Sequence, residues 1–204
     1  MKRFLLPVLL AYDLNANGMA AILIFPENGG PAVGVYAGAA FATQTVRVSS
    51  TRAEEDGRRI GTDAVLPRGG LFVGIENDRY RIDVSYDRAG NGDLRTERLL
   101  FNADFRFGGE HPLHPLLGIG VGQTDSRFDV PGRTLTFTNG TWALRGGLEY
   151  RKGGHYATLL AEYSRFLNAG SDSYLSDDTF TSYDLDEQHS FFIGLQYHYR
   201  FRFR

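Results

Sequence analysis

The chain has no cysteine. No disulfide framework, thiol nucleophile or thiolate metal site is therefore available to it. It also has little excess charge of either sign: 22 Lys and Arg against 24 Asp and Glu leave a net charge of -2. A nucleic-acid-binding surface needs a concentrated basic footprint, so nucleic acid is not an expected partner. No apolar run approaches the ~20 residues of a membrane helix. That excludes a helical membrane protein but leaves strand-spanning ones open, because alternating strands average out in any hydropathy window. No complete metal site is legible and no cofactor is expected. The nearest approach is Asp13-Leu14-Asn15-Ala16-Asn17-Gly18, the first half of a calcium loop with Ile24 where the closing acid belongs.

What the 204 residues do contain is 25 Gly, 15 Phe and 11 Tyr, the composition of a single-domain β-protein with many close packing points. The N-terminus reads as a secretory signal over 1–20. Lys2 and Arg3 are basic, Phe4 to Ala11 form an apolar core, and Ala16 or Ala20 precedes a cleavage site. A periplasmic segment is expected over 21–31, and the folded domain over 32–204.

From Pro31 onward, period-2 alternation dominates. The last segment sets Phe191, Ile193, Leu195, Tyr197, Tyr199, Phe201 and Phe203 against Phe192, Gly194, Gln196, His198, Arg200 and Arg202. Successive strand side chains point to opposite faces, so one face is apolar and the other mostly polar. Seven upstream strands are expected: 32–48, 70–76, 79–86, 97–107, 117–122, 142–150 and 156–166. Short turns fall near Asn77, Glu110 and Gly153. Longer loops run from about Ser50 to Arg68, Asp87 to Thr96, Gln123 to Gly140 and Leu167 to Gln188. In an up-and-down arrangement all short turns share one end, together with both termini.

This pattern resembles the bacterial outer-membrane β-barrels of the outer membrane protein A transmembrane domain and the opacity-type, porin-like family. The resemblance implies an all-β, eight-stranded antiparallel up-and-down transmembrane β-barrel with periplasmic termini. In that family an amphipathic, aromatic-ended terminal strand helps the assembly machinery recognise the chain. The resemblance also implies outer-membrane lipids and lipopolysaccharide as partners, host or phage contacts through the loops, and a monomer.

Alternation alone does not decide which face is outside, since a soluble lipocalin inverts it. The near-continuous Gly and Ala on the polar face of the first and fifth strands suit a narrow lumen. Aromatics near both strand ends suit membrane girdles: Tyr80, Tyr86, Phe101, Phe107, Trp142, Tyr150, Tyr197, Tyr199 and Phe201. A polar interior must pair its charges. The inward set contains Arg79, Arg81, Arg106, Arg145 and Arg200 with Asp83, Asp104, Glu149 and Glu162, joined by Gln196 and His198. A ladder of ion pairs plugging the lumen is expected.

Four functions compete. A structural or surface-interaction barrel leads. A small channel for ions or hydrophobic molecules, like the outer membrane protein W family, is second. A lipid A-modifying enzyme needs serine, histidine and an acid together. His189, Ser190 and Asp186 or Glu187 are adjacent in sequence, but neighbouring strand residues face opposite ways, so no catalytic residue is assigned. A soluble lipid binder is the non-membrane alternative. His111, His114 and His155 are expected in solvated turns.

Overall fold

A computed structural model describes residues 8–10, 21–23, 29–50, 57, 59–91, 94–108, 111–130, 133–167, 171–176 and 179–201. Two short strands, β1 (Val8–Leu10) and β2 (Ala21–Leu23), pair antiparallel with each other. The rest of the expected signal segment, including Asp13 to Gly18, lies outside the described residues, as do Phe203 and Arg204.

The main sheet comprises β3 (Gly30–Ser50), β4 (Arg59–Glu76), β5 (Tyr80–Gly90), β6 (Leu94–Arg106), β7 (Leu113–Val130), β8 (Arg133–Lys152), β9 (His155–Phe166), β10 (Ser171–Ser176) and β11 (Thr179–Arg200). Every pairing is antiparallel between neighbours, and β11 pairs both β9 and β3. The sheet therefore closes into an eight-stranded ring of β3–β9 and β11, which removes edges through its lower half. β10 pairs only the upper part of β11, where β9 has already ended.

Tight turns join β4 to β5 and β8 to β9 at one end, where β3 begins and β11 ends. In the first, Asn77 N–H bonds the Tyr80 carbonyl at 2.9 Å, and the Asn77 side chain accepts from Arg79 and Tyr80 N–H. The central residues are thus Asp78 and Arg79. In the second, Gly153 takes a φ of 63°, a conformation that side chains disfavour.

The strands run far beyond their expected ends. Most of the regions expected as loops, about Ser50 to Arg68, Gln123 to Gly140 and Leu167 to Gln188, are strand. The reason is an inversion of polarity partway up the wall. Below it, apolar residues face out: Val33, Leu71, Val84, Phe101, Ile119, Leu144, Leu159 and Ile193 are all exposed. Above it, the outward positions are polar, such as Arg127, Thr136 and Arg165. Apolar residues now face in: Val46, Val48, Leu66, Leu94, Phe128, Leu135, Phe137 and Leu185 are buried. The apolar stripe therefore changes parity within a strand, and the alternation reads as broken. On β11 the apolar residues keep odd parity and a register shift between Leu185 and Glu187 turns the strand over instead, so that Leu185 faces in while Phe191 and Ile193 face out.

The exposed apolar band spans about 9–11 residues on most strands, as on 31–41, 99–107, 113–121 and 191–201. A continuous ring of such surface far exceeds the few hundred Å² that water-soluble monomers expose. Its height matches the ~25 Å apolar belt of a membrane barrel.

Candidate functional site

The interior at the level of the apolar band is filled by charge. Register places the partners: Arg81 lies opposite Asp104, Asp87 opposite Arg98, and Arg145 opposite Glu162. Each pair sits on inward positions of adjacent strands, within reach of one another. Six guanidinium groups (Arg68, Arg81, Arg98, Arg106, Arg145, Arg200) and six carboxylates (Glu76, Asp83, Asp87, Asp104, Glu149, Glu162) are buried there, so the formal charges cancel.

The network has three levels. At the short-turn end, Arg106 meets Glu76 and Glu149, each at 2.6 Å, and donates to the Asn77 carbonyl at 2.8 Å. His198 Nε2 lies 2.9 Å from Glu76, and Arg200 Nη1 donates to Asp78 at 3.0 Å. In the middle, Arg81 binds Asp104, Asp83 at 3.0 Å and Gln196 at 3.1 Å, while Asn102 donates to Asp83 at 2.7 Å. Arg145 lies 3.5 Å from Asp104 and 3.8 Å from Glu162, which links this level to the next. At the top, Asp87 accepts from Tyr36 at 2.7 Å and from both Arg68 and Arg98. Glu162 accepts from the same two arginines at 2.9 and 2.8 Å.

Aromatic rings fill between the levels. Tyr156 stacks on His198 at 4.4 Å, and the guanidinium of Arg68 lies 4.5 Å from the centre of Phe192 and that of Arg81 4.8 Å from Phe72. Glycine makes the room. A Cβ on Gly34 would come within 2.5 Å of both His198 and Phe72, and one on Gly118 would overlap Asp104. Above the charges, Ser126 and Gln188 bond reciprocally and Thr124 meets Thr141 at 2.7 Å. The upper apolar core closes over them: Val46, Leu66, Leu94, Phe128, Leu135, Phe137 and Leu185 form one cluster.

Ten of the eleven residues expected in the lumen are buried in this network or beside it. Arg79 is not: it occupies the β4–β5 turn and is exposed. Four members escaped the sequence reading. Arg68 and Asp87 fall in spans expected as loops, and Glu76 and Arg98 lie on expected strands but outside the expected inward set. Parity alone would have found them, since Glu76, Phe72 and Arg68 share a face, as do Arg81, Asp83 and Asp87.

Of the expected girdle, Tyr80, Phe107, Tyr150, Tyr197, Tyr199 and Phe201 lie toward the short-turn end. Tyr199 meets Phe201 at 4.9 Å, and Tyr197 Oη lies 2.6 Å from His155 Nδ1. Trp142 packs edge-on to Tyr163 at the upper rim, and Tyr86 reaches Glu97 at 3.1 Å with its hydroxyl. Phe101 lies opposite Val84 and Val121, and through Val121 level with Trp142 near the top of the band.

His114, expected in a solvated turn, is buried inside β7, whereas His111 and His155 are exposed. His189 faces out beside Tyr163, while Ser190 bonds the inward Ser164 at 2.9 Å. The two side chains diverge and make no dyad. The side chains of Asp186 and Glu187 lie outside the described residues. At the turn, Asp78 is 2.8 Å from Arg151 as well as 3.0 Å from Arg200. Partial burial pushes its carboxyl up, but the Arg200 hydrogen bond and the two positive charges hold it below its ordinary value.

No protein-family model matches the chain, and no curated protein matches it. Solved structures do. The Neisserial surface protein A structure is 16% identical, with 86% of this chain and 100% of that one covered and a TM-score of 0.60. The outer membrane protein OprG of Pseudomonas aeruginosa is 12% identical over 85% and 98%, with a TM-score of 0.59. The N-terminal β-barrel domain of OprF from the same organism is 11% identical over 84% and 100%, with a TM-score of 0.52. The fold is that of the eight-stranded bacterial outer-membrane barrels.

Proposed function

We propose that this barrel resides in the bacterial outer membrane as a closed scaffold, with its short turns and termini periplasmic and its tall hairpins outside the cell. The observation that carries this reading is the continuous interior packing. Charge, aromatic and apolar layers follow one another from Asp78 at the turns to Phe137 at the far end. An eight-stranded ring is just wide enough for its side chains to fill it, so no water column is left. Its work is then done by surfaces: the apolar band holds lipid, and the extracellular hairpins present a rigid, folded platform for recognition. A monomer follows from a ring that leaves no pairing edge at membrane level, and β11 is the strand the assembly machinery engages.

The test is planar-bilayer recording of the refolded protein, with heat-dependent gel migration as the check that it is folded. Absence of stable conductance supports the scaffold, and a large, persistent single-channel step would end it. Folding to a stable monomer in water without detergent would end the membrane reading itself.

A further inference from the structure

We propose that the cleft beside the β5–β6 hairpin binds a sugar-linked phosphate of an outer-leaflet glycolipid. This rests on the membrane orientation above. The β5–β6 hairpin is short: β5 stops at Gly90, and Asn91 closes the turn by bonding the Leu94 carbonyl. Its neighbours continue, β4 beyond its last partner at Arg68 and β7 to Val130. The step between them forms a cleft of about 490 Å³, within the size range of small-ligand sites.

Three arginines, Arg88, Arg95 and Arg127, line it. Arg88 is engaged, 3.3 Å from Glu97 and bonded to Tyr86. Arg95 and Arg127 are different. They lie directly opposite each other across β6 and β7, on the outer wall, and neither has a carboxylate within ion-pair distance among the described residues. Like charges in that position repel and destabilise a sheet, so an unshared anion is what the pair lacks. The two acids in the cleft do not supply it. Glu97 serves Arg88 and Tyr86, and Asp125 accepts from Thr138 at 2.7 Å.

Height selects the source of the anion. Arg95 is four residues past Leu99 and Arg127 six past Val121, the last apolar outward residues of their strands. At a rise of ~3.4 Å and a tilt of ~40°, both stand roughly 10–15 Å above the apolar edge, at the depth of sugar headgroups rather than acyl chains. Each guanidinium presents a planar fork of donors that phosphate oxygens accept in pairs, and the register sets two such residues opposite each other.

The experiment measures binding of the folded, detergent-held protein to lipid A, to enzymatically dephosphorylated lipid A, and to inorganic phosphate. Lipid A is expected to bind at least tenfold more tightly than its dephosphorylated form, with inorganic phosphate too weak to compete at equal concentration. The R95Q/R127Q double variant should lose that tenfold preference, while R165Q, which removes an exposed arginine elsewhere on the upper wall, should keep it. Heat-dependent migration verifies that each variant is a folded barrel. Equal binding of the two lipids, an unaltered double variant, or free phosphate competing as well as lipid A would each overturn the proposal while leaving the membrane barrel itself intact.

Discussion

Removing Asp87 should unlock the top level of the charge network. Its carboxylate accepts from Tyr36 at 2.7 Å, from Arg68 at 3.1 Å through two nitrogens, and from Arg98 at 3.0 and 2.9 Å. In Asp87→Ala, Tyr36 loses its partner, and Arg68 and Arg98 share Glu162 alone. One buried positive charge is then uncompensated. Breaking a buried pair from one side costs about 3–5 kcal/mol, or roughly two to nearly four orders of magnitude in the folding equilibrium. Asp87→Asn keeps the shape but not the charge and should cost nearly as much. Tyr36→Phe removes only one hydrogen bond to a charged group and should cost about 1.5–3 kcal/mol. The double variant Asp87→Ala/Arg98→Met restores neutrality, so its cost should fall well below the sum of the two singles. Equilibrium urea unfolding in lipid vesicles reads these variants and the single Arg98→Met, using fluorescence of Trp142, the only tryptophan. A cost for Asp87→Ala below about 1 kcal/mol, or strict additivity in the double variant, would refute the idea that charge balance holds this interior together.

Ile119, exposed in the middle of the apolar band, should not tolerate charge: Ile119→Arg is expected to cost about 2–4 kcal/mol, whereas Thr134→Arg on the polar upper wall should stay within about 0.5 kcal/mol, both by urea titration. Gly118→Val should force Asp104 away from Arg81 and Arg145 and cost about 1–3 kcal/mol, while Gly69→Ala, with only the Tyr36 carbonyl at 3.5 Å, should be neutral. Asp78 titrates below its ordinary value in the fold, so its contribution is complete above the unfolded carboxylate pKa of ~3.9 and is lost as pH falls through the folded one. Asp78→Asn should therefore flatten the acid limb of an unfolding-versus-pH curve and leave the neutral region's slope unaltered; an unchanged acid limb would contradict the Arg151 and Arg200 contacts.

The ring of strands and its outward band were legible because each strand keeps one parity across the height of the band, as β11 does from Phe191 to Phe201. The upper half was not. Val46 and Val48 on β3, or Leu135 and Phe137 on β8, repeat at period 2 but on the opposite parity, and a pattern that changes phase looks like a loop. The charge network was legible where inward charges sat in the middle of a strand, as with Arg81 and Asp104. It is not legible beyond the expected strand ends: Arg68 and Asp87 lie on strands that continue into spans expected as loops, and Arg79, two residues from Arg81, lies in the turn. Register decides which arginine meets which acid, and a single chain read alone does not print register. The cleft was invisible for a related reason: it exists only because one hairpin is shorter than its neighbours in space.

The level at which the wall changes polarity acts as a depth gauge. Sinking one pleat further would push Glu97 and Arg88 toward acyl chains; rising one pleat would wet Val121 and Phe41. Tilting would do both, on opposite sides of the ring. The barrel therefore has little freedom to adapt to bilayer thickness, and any mismatch falls on the lipid, which must thin or stretch around it at fractions of a kcal/mol for each Å. A protein of this kind carries a fixed annulus of deformed membrane wherever it goes, and neighbours with the same band height lower that cost by standing beside it.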